Sequence, residues 1–396
     1  MTLVTITAWA GLIGFALSLL LMVRLPGLAQ AFGGLDRQYR AHHLLGLLTY
    51  LAILLHVLAV ALPGLTQGHW SLAIELWFSG PMALSGWAAL VALALPLFIT
   101  FCLPLIRFDR WLLWHRAMAL AFALAILHTL TTPLSSTKLW SVGALGAAGL
   151  MALLTRAWVS RRQAGSAYIV SSVTHPARHV VDIELQACGK PIPATDGAYL
   201  YVNFYKDTQA GSNAFQGCGH YHPFSVSARD GNRLRLSIKA LGDCTERMQH
   251  ITPGARARVQ GPFGTLFHRA QPSAEKQLWI AGGIGIAPFL AQLKQRANNA
   301  DLHLLYLYKE DADALHRDEI QAAQTRLTGL KVRCAATGPT GTPTLRAWLG
   351  DIPDLAQRVA YLCGPPRFID AAQNELRAHG LPRRAIHAER FDFREG

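Results

Sequence analysis

The sequence predicts a membrane α-helical bundle of about five spans, followed by an antiparallel β-barrel and then an α/β nucleotide-binding domain. Three observations carry this reading. Charge is unevenly spread over the 396 residues: residues 1–160 hold 8 Lys+Arg and 3 Asp+Glu, whereas the rest hold 29 and 21. Short alternating segments with Gly/Pro/Asp punctuation fill the region from about 166 to 270, the pattern of an antiparallel barrel. After about 275, strand-like runs alternate with helical ones around a glycine-rich turn, the pattern of βαβ units. The expected domains are therefore 1–160, 166–270 and 275–396.

Composition narrows the classes further. With 51% hydrophobic and 15% charged residues, the chain is too apolar for a disordered or secreted disulfide-framework protein. Six cysteines without a CxxC spacing suit a reduced compartment. The net charge of +13 is dispersed, with no basic block of the kind that makes a nucleic-acid arm, and it fits a cytoplasmic membrane face.

Residues 1–23, 41–74, 76–106, 117–137 and 139–155 contain no Asp, Glu, Lys or Arg. A span needs about 20 apolar residues, which places five helices near 3–24, 41–62, 81–103, 112–131 and 139–158. The first lacks a charged leader and a small-residue cleavage site, so it reads as a retained anchor. One set of helix ends holds Arg24, Arg37, Arg40, Arg107, Arg110, Arg156, Arg161 and Arg162, while the opposite loops hold Lys138 alone. The positive-inside rule puts the first set in the cytoplasm, the N-terminus outside and the soluble half in the cytoplasm. A multi-pass protein of the plasma or cell inner membrane is expected.

Four histidines fall inside spans. His42 and His56 are separated by 14 residues on the second helix, His115 and His128 by 13 on the fourth. At a rise of about 1.5 Å per residue these are separations of roughly 21 Å and 20 Å. With one helix between them, the two helices run parallel, so His42 shares a level with His115 and His56 with His128. Two levels of two imidazoles suit two stacked bis-histidine haems. Fourteen residues return to within about 40° of the same helix face, but thirteen leave an offset of about 140°, so the fourth helix needs local tightening. His43 rivals His42 and would give a spacing of 13 on both helices; Gly46 would admit a macrocycle on the face of His42. The competing reading has these histidines hydrogen-bonding between helices. His69 reads as an exposed loop residue.

In the soluble half, Tyr168–Val170, Val180–Leu185, Tyr199–Val202 and Leu234–Ile238 read as strands. His222-Pro223-Phe224-Ser225 follows, then Gly242-Asp243-Cys244-Thr245, which opens a helix after a strand and offers backbone N–H groups to a pyrophosphate. Gly261-Pro262-Phe263-Gly264 closes the barrel, with an ordinary turn as its plain alternative. Further on, Leu278–Ala281 runs into Gly282-Gly283-Ile284-Gly285-Ile286-Ala287-Pro288, a glycine turn between strand and helix where a dinucleotide pyrophosphate can meet a helix N-terminus. Ala360-Tyr361-Leu362 ends in Cys363-Gly364-Pro365-Pro366, where a buried structural cysteine is the plain alternative.

Taken together, His42-x13-His56 with Gly46, His115-x12-His128 and these soluble motifs resemble the ferric reductase/NADPH oxidase family, over roughly residues 35–396. The resemblance implies that the four histidines hold two b-haems. It implies that His222–Ser225 and Gly242–Thr245 contact FAD, with Ser225 facing the flavin N5 region. Gly282, Gly283, Ile284, Gly285 and Pro288 resemble the GGxGxxP loop that binds NADPH or NADH, and Cys363, Gly364 and Pro365 the CGPP motif beside the nicotinamide. Glu389-Arg390-Phe391 resembles the terminal ExF, whose aromatic covers the flavin; Phe391 is favoured for that role over Phe393, and either also fits a core position.

The implied activity is a path from cytoplasmic NAD(P)H through FAD and two haems to an outer acceptor, either oxygen, giving superoxide, or a ferric chelate. No side-chain acid or base is required. The chain departs from the family in having five expected spans where oxidases commonly have six. It also lacks an evident Ser-Arg pair for a 2′-phosphate at Ala335–Pro339, where Lys309 or Arg333 could substitute electrostatically. Two other readings stay open: a membrane redox module feeding a partner protein, and a haem-free anchor or transporter fused to a flavin reductase.

Overall fold

The computed structural model describes residues 2–23, 25–32, 34–66, 68–101, 108–133, 135–162, 165–193, 197–205, 215, 217–264, 266–267, 276–296, 301–337 and 342–390. Phe391 and Phe393, together with Arg24 and Arg107 of the basic set, lie outside the described residues. The chain forms two compact units, Met1–Arg161 and Arg162–Gly396.

The first unit is helical: α1 (Leu3–Leu21), α2 (Pro26–Phe32), α3 (Leu35–Thr66), α4 (Trp70–Phe78), α5 (Gly80–Phe101), α6 (Phe108–Arg116), α7 (Met118–Leu130) and α8 (Ser136–Arg162). Among the described residues, five stretches are long and apolar enough to span a bilayer: Leu3–Leu21, Arg37–Thr66, Gly80–Thr100, Arg110–Leu130 and Ser136–Val159. Each overlaps one of the five expected helices. Leu44, Leu48, Leu51, Leu55 and Leu58 are exposed along α3, the apolar outer surface that lipid tails would cover. The unit's interior is built from Leu12, Phe15, Ala16, Leu93, Met118, Ala121, Phe122 and Val142. Phe15 meets Phe122 edge to face at 5.4 Å. α1 approaches α3 closely because a Cβ on Gly11 would come within 2.9 Å of the Ile53 side chain. Small residues at such crossings replace the hydrophobic drive that lipid does not supply.

The second unit begins with a closed antiparallel barrel. Its strands are β1 (Ser166–Ala177), β2 (Val180–Ala187), β3 (Tyr199–Phe204), β4 (His222–Asp230), β5 (Arg233–Lys239) and β6 (Arg256–Phe263), in the order β1-β2-β5-β4-β3-β6. Alternate residues such as Leu234, Leu236 and Ile238 of β5 point into a core with Ile183, Leu185, Leu200 and Val202, the period-two burial of a pleated strand. The helix α9 (Asp243–Met248) follows β5. Tyr168 closes one end, its hydroxyl accepting from Ile192 N at 2.9 Å.

A five-stranded sheet completes the unit. β7 (Gln277–Gly282), β8 (Leu302–Tyr308), β9 (Leu330–Ala336), β10 (Val359–Gly364) and β11 (Ile386–Arg390) lie in the order β11-β10-β7-β8-β9. Every pairing is parallel. The connecting helices are α10 (Ala287–Gln295), α11 (Arg317–Arg326), α12 (Thr342–Gly350) and α13 (Pro366–Ala378). β7 and β8 are buried throughout, as a sheet covered on both faces requires. At the N-terminal edge, the buried Arg358 ties strands together by donating to Gln277 O, Asp301 Oδ1 and both oxygens of Asp354.

Charged groups fasten barrel to sheet. Asp182 on β2 lies 2.9 Å from His316 Nε2, and His316 Nδ1 lies 3.0 Å from Glu319 Oε1. Arg235 on β5 grips Glu319 through Nη1 at 2.5 Å and Nη2 at 3.0 Å, a two-pronged arrangement suited to guanidinium and carboxylate. Burial pushes the His316 ring down, but its hydrogen bonds to Asp182 and Glu319 outweigh this and leave its pKa raised.

Candidate cofactor sites

The helical unit brings the four membrane histidines together in two pairs. The ring centroids of His42 and His115 are 6.1 Å apart, and those of His56 and His128 are 6.3 Å apart. Two imidazoles on opposite sides of one metal, each bound at about 2 Å, place their centroids about 6 Å apart. The residues therefore fit a bis-histidine haem at each level. His43 is exposed, and it is His42 that faces His115.

Ring orientation is set by neighbouring helices. His42 Nδ1 lies 3.0 Å from Ser18 O and 3.0 Å from Ser18 Oγ on α1. His56 Nδ1 lies 3.2 Å from Val4 O. His128 Nδ1 lies 3.1 Å from both Met82 O and Ser85 Oγ on α5. A proton on Nδ1 directed at a carbonyl leaves Nε2 with its lone pair, the state a metal ligand needs. Among the described residues His115 has no such partner at Nδ1; it stacks on Trp111 at 5.1 Å.

The fourth span is distorted as its spacing of 13 requires. α6 ends at Arg116 and α7 starts at Met118. At the step, Ala117 N donates to Trp114 O at 3.0 Å and Leu120 N to Ala117 O at 2.9 Å. These three-residue spacings wind about 20° more per residue than an α-helix and turn His128 back toward the side that His115 faces.

A cavity beside the first pair is lined by His42, Gly46, His115, Leu97, Arg116 and Arg156, among others. A Cβ on Gly46 would meet nothing within 4 Å, so a larger side chain there would project into open space. At the other level Gly86 passes against the His128 ring, where a Cβ would lie 3.0 Å from Cε1. Gly86, Ser18 and Ser85 were not singled out in the sequence, because the carbonyls and close approaches that matter belong to other helices.

In the second unit, β4 carries His222, Pro223, Phe224 and Ser225, all partly buried, with Ser225 opposite Tyr199 on β3. Thr245 does not offer a vacant hydroxyl. Its Oγ1 accepts from Leu241 N at 2.8 Å and Gly242 N at 3.0 Å and donates to Gly242 O at 2.9 Å, so it holds the turn that precedes α9. Gly261–Gly264 is the end of β6 and its exit, with Phe263 opposite Tyr199.

The glycine turn after β7 and the Cys363–Pro365 segment at the end of β10 abut. The chain leaves β7 toward β8 on one side and returns to β10 on the other, which makes the crevice at the strands' C-terminal ends a topological switch point. A Cβ on Gly285 would come within 2.5 Å of Cys363 C and 2.7 Å of Gly364 N. Gly283 has φ +54 with nothing near it, a left-handed residue facing open space. Pro288 stands in the first turn of α10, where a missing N–H costs nothing. The Cys363 side chain is fully buried, and burial raises its pKa well above the ordinary thiol value. Glu389 is opposite Cys363 on β11 and reaches the barrel: a Cβ on Gly264 would touch both Glu389 Oε1, at 2.5 Å, and Tyr199 Cδ1, at 2.9 Å. The β4 and β10 motifs thus border one region of this unit.

Comparison with known proteins agrees with both halves. Residues 7–126 match the ferric reductase like transmembrane component, and residues 279–374 match the oxidoreductase NAD-binding domain. The carnitine monooxygenase reductase subunit of Escherichia coli is 30% identical over 207 residues, covering 51% of this chain and 61% of that protein. The ferredoxin–NAD(P)(+) reductase component of a Ralstonia naphthalene 1,2-dioxygenase/salicylate 5-hydroxylase system is 27% identical over 241 residues, covering 57% of this chain and 68% of its own. A flavohemoglobin from Malassezia yamatoensis, solved with bound FAD and heme, superposes with a TM-score of 0.53 at 17% identity, over 98% of this chain and 96% of that one; this is a likeness of fold alone. The chain thus joins a multi-pass ferric reductase-like membrane component to an NAD-binding oxidoreductase domain, matching the fused architecture of the ferric reductase/NADPH oxidase family.

Proposed function

We propose that the protein is a flavocytochrome b that carries electrons from cytoplasmic NAD(P)H across the bilayer to an acceptor on the outer side. The supporting observation is the pair of histidine couples, at 6.1 Å and 6.3 Å, within the ferric reductase-like half. When bound, flavin supplies the conversion of a hydride into single electrons and haem iron a one-electron relay.

The chain's own residues hold, orient and neutralise. His42 and His115 would ligate the inner haem, and His56 and His128 the outer one. Arg116 and Arg156, on the wall of the inner cavity, would offer positive charge to the carboxylates of a bound haem. The backbone N–H groups of Asp243 and Cys244 at the start of α9 and the surface of His222–Ser225 would seat FAD. Gly282–Gly285 and Pro288 would receive the nucleotide pyrophosphate, with Gly364 and Pro365 flanking the nicotinamide. Phe391 would cover the flavin. The expected boundaries 1–160, 166–270 and 275–396 assign one cofactor class to each segment.

Oxygen and a ferric chelate both suit an outer haem edge. The segment 62–80 has no Lys or Arg, so only Lys138 offers a cation to an anionic acceptor on that side. A protein acceptor is a second reading, favoured by the reductase components among the relatives. The test is haem content per chain, measured as the pyridine haemochrome. Two haems are expected in the wild type and one in His56→Ala or His128→Ala, with flavin reduction by NAD(P)H kept in both variants. Unchanged haem content in the variants refutes the ligand assignment.

A further inference from the structure

We propose that Cys218 and Cys244 form a reversible thiol–disulfide pair beside β4, a modification site for small disulfides such as oxidised glutathione. The Cys218 and Cys244 sulfurs and one ring nitrogen of His222 all lie within 4.8 Å of one another. The segments are already crossed: Cys218 Sγ reaches Cys244 O at 3.6 Å, and Cys244 Sγ reaches Cys218 O at 3.9 Å. Both cysteines are unbridged, and a bond of about 2.05 Å would close from a sulfur separation of no more than 4.8 Å.

The two sulfurs differ in reactivity. Arg247 Nη2 donates to Cys244 Sγ at 3.2 Å. The hydrogen bond from Cys218 lowers the Cys244 thiol strongly against burial, with His222 and Arg247 adding to the effect, while the same bond and burial raise Cys218. Cys244, half-buried, is therefore the attacking thiolate, since the thiolate is the nucleophile, and Cys218, buried, is the resolving thiol. Two sulfurs and an imidazole could also bind a soft cation. Arg247 already sets a positive charge on the Cys244 sulfur, which opposes a metal there and favours thiol exchange.

The exchange balances in two steps. Cys244 thiolate attacks one sulfur of oxidised glutathione, forming a mixed disulfide and releasing one glutathione thiolate. Cys218, giving its proton to solvent, attacks the Cys244 sulfur and expels the second glutathione. Two protein thiols are oxidised and one glutathione disulfide is reduced to two thiols. Cys244 is in the first turn of α9, and His222 begins β4. The bond would therefore shift the turn that the proposed FAD site uses; this consequence rests on the flavin assignment, whereas the thiol pair does not.

The experiment treats the full detergent-purified chain with oxidised glutathione, alkylates it and maps tryptic peptides without reduction, with FAD retention after desalting measured in parallel. The expected result is one peptide linking Cys218 to Cys244, a loss of retained FAD, and recovery of both on adding dithiothreitol and FAD. Cys218→Ser should bind FAD like the wild type before treatment and keep glutathione attached to Cys244. Absence of the linked peptide, glutathione persisting on wild-type Cys244, or stoichiometric zinc protecting both thiols would each overturn the proposal. A linked peptide with full FAD retention leaves the pair standing and refutes the flavin placement at α9.

Discussion

Replacing Gly285 by alanine tests the nucleotide crevice most sharply. The new Cβ would sit within 2.5 Å of Cys363 C and 2.7 Å of Gly364 N, where carbon atoms prefer about 3.5–4.0 Å. The opposing atoms are backbone on β10, held on both sides by β7 and β11, so the glycine turn must move by roughly 1 Å. Overpacking of this kind costs about 1–3 kcal/mol. If that displacement is felt by bound nucleotide, affinity falls about 5- to 150-fold. The assay is steady-state reduction of ferricyanide with varied NADH and NADPH, alongside FAD content and thermal melting. KM should rise by that factor with FAD content retained. Gly283→Ala is the comparison: its Cβ meets nothing, but φ is +54, which costs an L-residue about 1–2 kcal/mol. A Gly285→Ala protein with unchanged KM and unchanged melting would refute the packing argument.

Other outcomes follow from the same geometry. Gly86→Val should push the His128 ring, which a bare Cβ already meets at 3.0 Å, and lower the haemochrome count to about one per chain by loss of the outer site. Arg358→Met should destabilise the second unit by about 1–3 kcal/mol through its lost charge-assisted hydrogen bonds, since Asp354 keeps Lys276 and Asp301 is half exposed, and should leave the KM for NAD(P)H unaltered because Arg358 lies at the opposite edge of the sheet; unfolding and kinetics together check this. His316 has a raised pKa when folded, so its contribution is full below the unfolded value of about 6.5 and is lost as pH rises through the folded value. Thermal melts should therefore fall as pH rises above about 6.5 in the wild type, and less so in His316→Gln.

Much of this was legible because membrane helices impose length and depth on sequence. Charge-free runs gave the spans, and nearly equal separations of 14 and 13 residues on two helices gave the histidine levels. The offset of 13 residues even required the irregularity found at Ala117, although its position could not be read, since no proline or glycine marks it. The partners that aim the rings were not legible: Ser18 and Met82 act through carbonyls of helices distant in sequence. Two short helices, α2 and α4, were missed for want of a long periodic pattern. In the barrel, β4 and the end of β6 were read as motifs rather than strands, because proline interrupts the alternation at Pro223 and Pro262. Thr245 shows the limit of motif reading, for the sequence offers its hydroxyl and the fold spends it on Leu241 and Gly242.

The proposed path of electrons from nucleotide to haem is read in the visible spectrum of the purified, FAD-supplied protein under anaerobic conditions, before and after NADH and then NADPH. Reduced b-type haem bands are expected after flavin bleaching, and their rates show which nucleotide is preferred. Flavin bleaching in a protein with no haem signal would contradict that path and return His42, His56, His115 and His128 to the role of interhelical hydrogen-bonding groups.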